Sequence, residues 1–357
     1  MKRFFSLFVL IVSVCAILCG CDFWTNGEHL SVTPHEEEAL QLNNEIIHVS
    51  TFTQIQDVLV ELVENGTENA VVSADAFNIG TLNFLIESAI NHVVTENPVG
   101  AYAVDKIDYE IGTNRGAHVV AFKFSYLHNR SEILRIKKVK HMSEAVDQIY
   151  SALDNCEHSL VIRVDRYIVT DFVQLVQNYY NDNPDLVMEL PKISANLYPQ
   201  KGEDRIIEVN FTYQTSRDQL VKMQELVAPF FQSAELYVKE TNQISEVYYQ
   251  LYSFLMERNR YKMETSITPT YSLLQHGVGD SRAFANVYAK MCRTAGLDCR
   301  VVTGTRGGIS WCWNIVRYRG NYYHIDLLRC SEENDFSMSL SYDMTDYVWD
   351  YTMFPFE

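Results

Sequence analysis

The chain has 357 residues, of which 46 are acidic and 29 are Lys or Arg, so its formal net charge at neutral pH is −17. This acidity disfavours nucleic acid, and we predict no nucleic-acid partner, because binding to it depends on neutralising phosphates with Lys and Arg. Flat attachment to an anionic membrane surface is disfavoured for the same reason, although a charge of this size says nothing about the fold.

Residues 1–20 have the pattern of a secretory signal peptide. Two cations precede an apolar run over 4–18, which is short for a membrane-spanning helix of about 20 apolar residues. The LCGC sequence at 18–21 resembles the lipobox of bacterial lipoproteins, with Cys19 as a departure because Ala, Ser or Thr is more usual there. This resemblance implies cleavage before Cys21 and acylation of its thiol and amine. The alternative is an uncleaved anchor.

Acylation at Cys21 would make membrane lipid a partner and hold the chain on the extracytoplasmic face of a bacterial membrane. Firm anchoring needs several acyl chains, since one chain alone binds only marginally. Cleavage also removes both N-terminal cations and no anion, so the mature chain would carry a charge of −19. Residues 21–45 contain an acidic run and no sustained apolar period, and we predict that they form an acidic tether.

Two later segments resemble each other along their length. FKFSYLHNRSEILRI at 122–136 aligns with VNFTYQTSRDQLVKM at 209–223 at a constant offset of 87. An Asn-Pro pair at 97–98 aligns with another at 183–184. This order and constancy are improbable by chance, so we predict an internal repeat. The matched residues are Phe124, Tyr126, Arg130 and Ile133 in the first copy and Phe211, Tyr213, Arg217 and Leu220 in the second.

In each copy the spacing of the apolar residues changes between helical and strand patterns in the same order along the chain. In the second copy a helical pattern over 143–155 precedes a short apolar strand at 160–164. A second helix over 171–180 stops near the Asn-Pro pair, because the residue before proline leaves the helical region. Two strands follow, near 187–197 and 206–213. We predict two α-β-α-β-β modules that pack together, since each is small for an independent domain. The predicted modules span 46–137 and 138–225.

Residues 226–357 begin with helical spacing and then carry a series of motifs. GVGDSRAFANVYAKMCRTAG at 277–296 is followed by WCWN at 311–314 and GNYYHID at 320–326. In this order and spacing the motifs resemble the transglutaminase-like fold, a papain-related superfamily, over about residues 260–357. The resemblance implies a helix packed on an antiparallel sheet. The fold class predicted for the chain is α+β, with two tandem modules followed by a helical lead-in and a transglutaminase-like domain.

The resemblance also implies the positions of a catalytic triad. In the family, a Cys at a helix N-terminus is favoured as a thiolate by the helix dipole, a His on the next strand takes the proton, and an Asp orients the imidazole. Matching Phe284-Ala285 to the family's aromatic-Ala pair places the nucleophile position at Ser281. The remaining two motifs place the base position at Trp311 and the orienting acid at Asp326.

Two of these three positions have lost the residue that the chemistry needs. A Ser hydroxyl titrates several units above a thiol and depends on a positioned base, whereas the indole of Trp311 is a donor only. We therefore predict that the domain is not catalytic and that Ser281 serves as a helix N-cap. The alternative is a serine-dependent peptidase, amidase or acyl transferase that uses a displaced base, either His324 or His276.

The predicted function is binding or scaffolding at the cell envelope. The degenerate cleft would be a recognition groove for a protein, a peptide or a cell-wall glycan, because aromatic rings supply contact area. Alternatively, Trp311 plugs the cleft. A third hypothesis assigns a structural role to the repeats and makes the last domain a passive cap. The groove would be lined by Trp311, Trp313, Tyr323 and His324.

Five cysteines follow Cys21, and an odd number leaves at least one thiol without a partner in the chain. Their spacings lack the paired CxxC pattern of a structural zinc site. The sequence also has no nucleotide-binding loop, so we predict no metal and no cofactor. One or two disulfides and buried free thiols both stay open as interpretations. The five are Cys156, Cys292, Cys299, Cys312 and Cys330.

Overall fold

The computed structural model describes residues 46–114, 116–238, 243–263 and 266–354. The predicted signal peptide, Cys21 and the predicted tether lie outside these residues. The chain divides after Ile46 into two units. The helices and strands of the described residues all belong to the second unit, which begins at Ile47. Within the described ranges, no helix has the length and apolar character that a bilayer crossing requires.

The first module is a four-stranded sheet with its helices formed between the strands. The strand order is β1-β2-β4-β3, in which β1 is parallel to β2 and the other neighbours are antiparallel. The elements are β1 (Ile47–His48), α1 (Phe52–Glu64), β2 (Asn69–Ser73), α2 (Ile79–Glu96), α3 (Pro98–Ala103), β3 (Val104–Asn114), β4 (Ala117–Tyr126) and α4 (Arg130–Leu134).

The second module has the same sheet order, β5-β6-β8-β7, with the same parallel and antiparallel pairings. Each module begins with a short strand that the α-β-α-β-β pattern omits. That strand is hard to recognise in KKVKH because it is an edge strand with mostly charged, exposed side chains. The elements are β5 (Lys137–His141), α5 (Met142–Asp154), β6 (Ser159–Arg166), α6 (Phe172–Asp182), β7 (Lys192–Tyr198) and β8 (Arg205–Thr212).

The two modules share part of their packing. Ile206 on β8 is fully buried within the apolar core of the first module. The ring of Tyr102 on α3 lies 5.4 Å from that of Tyr198 on β7. Burial of apolar side chains across the interface stabilises both sheets at once, since each small module leaves much of its surface uncovered when alone.

The last part of the chain packs helices on one face of an antiparallel sheet. The strand order is β13-β12-β11-β14, and β9 pairs with β10 in a separate parallel pair. The elements are α7 (Arg217–Tyr237), α8 (Ile244–Met256), β9 (Arg260–Tyr261), α9 (Pro269–His276), β10 (Val278–Gly279), α10 (Ser281–Thr294), β11 (Cys299–Arg306), β12 (Ile309–Tyr318), β13 (Asn321–Ile325), α11 (Leu327–Glu333), a 3₁₀ turn (Ser341–Asp343) and β14 (Tyr347–Trp349).

Helix α10 is the centre of this part, and every side chain from Ala283 to Ala289 is buried. It packs against β11 and β12 in the largest apolar core of the described chain. Close packing of the strands requires a glycine at Gly304, because a Cβ there would lie 2.9 Å from the Trp313 ring. Arg319 and Gly320 both adopt positive φ and make the tight turn between β12 and β13. The predicted α+β class is confirmed.

Candidate functional site

Ser281 is the first residue of α10, and the residue that caps the helix is Asp280. Asp280 has an extended backbone, with φ −87° and ψ 175°, and its carboxylate accepts a hydrogen bond of 2.9 Å from the N–H of Ala283. The prediction that Ser281 is the N-cap is therefore wrong. A carboxylate one residue earlier satisfies the free N–H at the third helical position and complements the positive end of the helix dipole.

The hydroxyl of Ser281 is used in another way. It accepts a hydrogen bond of 3.2 Å from the backbone N–H of Cys312 on β12. The side chain is buried, so this contact holds the start of α10 against the strand that carries Trp311. The structure thus brings the predicted nucleophile position next to the predicted base position, 30 residues further along the chain.

Trp311 occupies the place of the expected base and contacts the expected acid. Its indole Nε1–H donates a hydrogen bond of 2.8 Å to Oδ2 of Asp326. An imidazole in the same place would present one N–H to the carboxylate and keep a second nitrogen for the nucleophile, whereas an indole has one nitrogen only. The contact to Asp326 is therefore made by a side chain that has no second nitrogen to offer Ser281.

Asp326 has several hydrogen-bond partners besides Trp311. Its Oδ1 accepts from the backbone N–H groups of Leu328 and Arg329, at 3.0 and 3.3 Å, and so caps helix α11. Its Oδ2 also accepts from the hydroxyl of Tyr347 on β14, at 2.7 Å. This buried carboxylate is therefore a structural acceptor for four donors.

Arg306 supplies a positive charge beside this carboxylate. Its Nη1 lies 3.7 Å from Oδ2 of Asp326, and its guanidinium carbon lies 5.5 Å from the Trp311 ring centroid. Nη2 forms an ion pair of 2.8 Å with Glu332. Burial and the adjacent Asp326 raise the pKa of Tyr347, so that its hydroxyl stays protonated and donates. The arrangement compensates the buried charge, as buried carboxylates require.

His324 lies in a second hydrogen-bonded group on the same sheet. Trp313 Nε1–H donates to Nδ1 of His324 at 2.9 Å, which leaves the ring proton on Nε2, 3.2 Å from the Ser341 hydroxyl. Burial lowers the pKa of His324 to about 4. The ring is therefore neutral, and both of its nitrogens are engaged away from Ser281, so it is unsuited to act as a displaced base.

His276, the other candidate for a displaced base, ends helix α9 and does not lie in a flexible loop before Ser281. Its side chain is exposed, and its ring meets the Tyr271 ring edge to face at 5.5 Å. Among the described residues, neither His276 nor His324 hydrogen-bonds the hydroxyl of Ser281.

The aromatic residues predicted to line a groove are mostly part of the core. Trp311 is 8% exposed and Trp313 is 1% exposed, and both indole N–H groups have partners within the protein. His324 is equally buried, and Tyr323 is half-buried with its ring 6.1 Å from that of Tyr318. In this arrangement Trp313 and His324 are closed to a ligand, and the Trp311 ring lies 5.4 Å from that of Tyr261.

The five cysteines of the described ranges are all buried free thiols, which favours the second of the two open interpretations. Burial raises the pKa of Cys312, whose backbone N–H bonds to Ser281, so the thiol stays protonated and is a poor nucleophile. The described residues contain no cluster of His, Cys, Asp and Glu that could hold a metal ion.

The sequence motifs did not indicate Tyr347, Arg306 or the Cys312 N–H as parts of this site. Arg306 lies on β11 and Tyr347 on β14, which pair directly with each other in the sheet. The sequence carried one indirect signal for these residues, which was Asp326. A buried carboxylate needs several hydrogen-bond donors, so donor side chains in the last strands were candidates for its partners.

Comparison with known proteins agrees with the motifs. Residues 232–327 match the model of the transglutaminase-like superfamily. No curated protein sequence matches the chain.

Three solved structures show a distant likeness. A TGase has 11% identity and a TM-score of 0.26, over 72% of this chain and 78% of its own. A proposed cysteine protease from Cytophaga hutchinsonii has 14% identity and a TM-score of 0.24, over 44% and 70%. A proposed protease from Parabacteroides distasonis has 7% identity and a TM-score of 0.25, over 72% and 39%. TM-scores this low support no argument about activity. The family match, together with the motif order and the helix-on-sheet fold, identifies a transglutaminase-like domain in the last part of this chain.

Proposed function

We propose that this protein is a membrane-anchored extracytoplasmic lipoprotein whose transglutaminase-like domain does not catalyse a reaction and acts in binding or scaffolding at the cell envelope. The observation that carries the proposal is the hydrogen bond of 2.8 Å from Trp311 to Asp326 at the place of the catalytic base. A donor-only indole in that place removes the proton acceptor that a serine nucleophile requires.

The remaining contacts support a structural use of the former site. Ser281 accepts a backbone hydrogen bond, and Asp326 caps α11 while accepting from Trp311. Trp311 acts as a plug in this proposal, because its ring is buried and fixed at its polar end. The binding surface for a protein, peptide or glycan partner then lies outside the plugged cleft.

The test is restoration of the two lost groups. We expect wild-type protein and the Ser281→Cys variant to be inactive on peptide amides and peptidoglycan fragments. The double variant Ser281→Cys, Trp311→His regains a thiol and an imidazole next to Asp326, so hydrolysis or acyl transfer by the double variant alone would show that those losses silence the domain.

The competing serine enzyme is tested with the same wild-type preparation. A serine-directed fluorophosphonate should leave wild-type protein unlabelled. Labelling of wild-type protein that disappears in Ser281→Ala would overturn the non-catalytic proposal and establish serine chemistry. The exposed residue Ser331 provides a matched control, as Ser331→Ala should not change labelling in either case.

The lipid anchor rests on the LCGC sequence at 18–21. We expect the full chain, expressed in a bacterium, to partition into detergent and to carry acyl chains on Cys21 by mass spectrometry of its N-terminal peptide. The Cys21→Ala variant should lose the acylation, whereas Cys19→Ala should keep it. An unmodified Cys21 in membrane-bound protein would instead indicate the uncleaved anchor.

A further inference from the structure

A pocket of about 390 Å³ lies between the second module and the transglutaminase-like domain. Its walls come from α6, from two loops of the second module, from residues 266–269 that lead into α9, and from the residues that flank Ser281 at the start of α10. We call it the α6–α10 pocket. It is distinct from the plugged cleft, since neither Trp311 nor Asp326 is among its lining residues.

Tyr180 of α6 lines this pocket with an unused donor. The side chain is 4% exposed, and its hydroxyl makes no hydrogen bond to any residue in the described part of the chain. Burial raises the pKa of Tyr180, so the hydroxyl keeps its proton. The hydroxyl oxygen itself is not among the fully buried atoms without a partner, so it lies at the open space of the pocket, where a ligand or water can accept its proton in a hydrogen bond.

Arg282 of α10 lines the same pocket with an unused cation. Its side chain is half-buried, yet within the described ranges it has no ion pair and no hydrogen-bond acceptor. Arg293 on the same helix, by contrast, pairs with Asp182 at 3.4 Å. A guanidinium offers N–H donors in a planar fork that matches a carboxylate, and it is always charged.

Two carboxylates limit which anion the pocket accepts. Glu189 is buried and accepts from the N–H groups of Gln214 and Thr215 at 2.6 and 3.0 Å, while Asp280 caps α10. Both line the pocket and keep lone pairs for a further donor. Their negative charges disfavour a dianion such as phosphate. A monoanion that also carries an N–H donor matches the arrangement better.

We propose that the α6–α10 pocket binds an α-carboxylate, either of a free amino acid or of a peptide C-terminus, with Arg282 and Tyr180 as donors to the carboxylate. The adjacent ammonium or amide N–H donates to Asp280 or Glu189. Leu190 and Ile267 line the pocket with exposed apolar side chains that can contact the ligand's own side chain. The inference names a site and a ligand class beyond the proposed function and does not depend on the role of Trp311.

Binding is measured by calorimetry and by NMR on the whole soluble part of the chain, with four probes. These are N-acetyl-Ala-Leu with a free carboxylate, the same peptide as its C-terminal amide, free leucine, and inorganic phosphate. We expect a millimolar or tighter Kd for at least one carboxylate probe and binding about tenfold weaker for the amide. The preferred carboxylate probe distinguishes a peptide end from a free amino acid. Equal binding of acid and amide, preference for phosphate, or no binding by any probe would overturn the proposal.

Two variants locate the binding. Arg282→Gln should weaken carboxylate binding about tenfold, and Tyr180→Phe should weaken it severalfold while removing one oxygen atom only. Arg317→Gln changes an exposed arginine on β12 and should leave binding unchanged. Thermal unfolding checks that each variant is folded. Unchanged affinity in both pocket variants would place the ligand elsewhere. A failure of the carboxylate probes to bind would not affect the proposal that the domain is non-catalytic. Catalytic activity in wild-type protein would not affect the proposal that the α6–α10 pocket binds a carboxylate.

Discussion

At the scale of single residues, Asp326 shows how one buried carboxylate stabilises several elements. Its carboxylate accepts from Trp311, from Tyr347 and from two backbone N–H groups at the start of α11. Each hydrogen bond to a charged group contributes about 1.5 to 3 kcal/mol, and an unsatisfied buried partner costs a similar amount. These four contacts give the acid a role in stability that requires no imidazole partner.

Replacing this carboxylate by an amide tests its structural role. In Asp326→Asn, the amide NH₂ must face at least one of the four donors, so we expect a loss of about 3 kcal/mol in the free energy of unfolding. Denaturant titration measures it. Asp335→Asn, at an exposed position, is the matched control and should change stability little. Equal stability of Asp326→Asn and wild type would contradict the role assigned to the carboxylate.

His324 makes the stability of the domain depend on pH. Its pKa is lowered from 6.5 to about 4 by burial, so the unfolded state binds the proton more strongly than the folded state. The neutral ring makes its full contribution to the free energy of unfolding above pH 6.5. That contribution is lost as the pH falls from 6.5 to about 4. Its size is about 3 kcal/mol, from about 1.4 kcal/mol for each pKa unit.

The measurement compares wild type with His324→Gln. The amide side chain accepts and donates but does not titrate, so the variant should be less stable at pH 7 and show a shallower loss of stability between pH 6.5 and pH 4.5. His276→Gln, at an exposed position, should keep the wild-type slope. The same slope in His324→Gln and in wild type would exclude His324 as the source.

At the scale of elements, the two modules end their first helices in the same way. Helix α1 is followed by Asn65 and then Gly66 with φ 60°, and α5 is followed by Asn155 and then Cys156 with φ 51°. In each module the N–H groups of the left-handed residue and of the residue after it, Thr67 or Glu157, bond back to the last turn in the Schellman pattern. A glycine in one module and a buried cysteine in the other meet the same need for a left-handed residue.

The repeat-matched arginines fix these helix ends from the next element. Arg130 Nε donates to the Asn65 carbonyl at 3.0 Å, and Arg217 Nε donates to the Asn155 carbonyl at 2.9 Å. They lie at matched positions of the two aligned segments. These correspondences agree with the predicted repeat, while its origin by duplication stays a prediction.

Removal of either arginine should therefore have the same effect. We expect Arg130→Ala and Arg217→Ala each to lower the free energy of unfolding by about 1 kcal/mol, because each leaves a helix-terminal carbonyl with one partner fewer. Arg135→Ala, an exposed arginine after α4, should cost less. Denaturant midpoints compare the three. A large effect in one module and none in the other would contradict the matched roles.

At the scale of the whole molecule, one arginine ties the two modules together. Arg163 on β6 forms ion pairs with Glu64 at the end of α1, at 2.5 Å, and with Asp204, at 2.7 Å. Burial raises the pKa of Glu64, but Arg163 and Lys138 outweigh it, and the net pKa is lowered from 4.5. This contribution to stability is present above pH 4.5 and is lost as the pH falls through the folded-state pKa.

Arg163→Met should destabilise the protein by about 2 kcal/mol, since it leaves two carboxylates without their cation in a partly buried place. The destabilisation should affect both modules, because the ion pairs join them. Hydrogen exchange resolved along the chain measures the protection of α1 and β6 together. Arg166→Met, on the exposed end of the same strand, is the control. Loss of protection in the second module alone would show that the modules are independent.

The sequence by itself determined the elements with a strong local signal and the residue types at the three motif positions. Apolar periods indicated the helices and most strands, and the order of three motifs indicated the transglutaminase-like domain. That Ser281 carries no thiol and Trp311 no imidazole followed from residue types alone. The edge strand β5 was not predicted, because its side chains are mostly charged and exposed and therefore show no alternation of apolar residues.

Only the tertiary structure decided how these residues are used. The N-cap of α10 is Asp280, whereas the sequence predicted Ser281. The Ser281 hydroxyl instead accepts a hydrogen bond from the N–H of Cys312, where α10 packs on β12. The donors to Asp326 and the meeting of Tyr180 with Arg282 in one pocket depend on contacts between residues far apart in the chain. Such contacts are fixed by how the elements pack, and local sequence patterns carry no record of them.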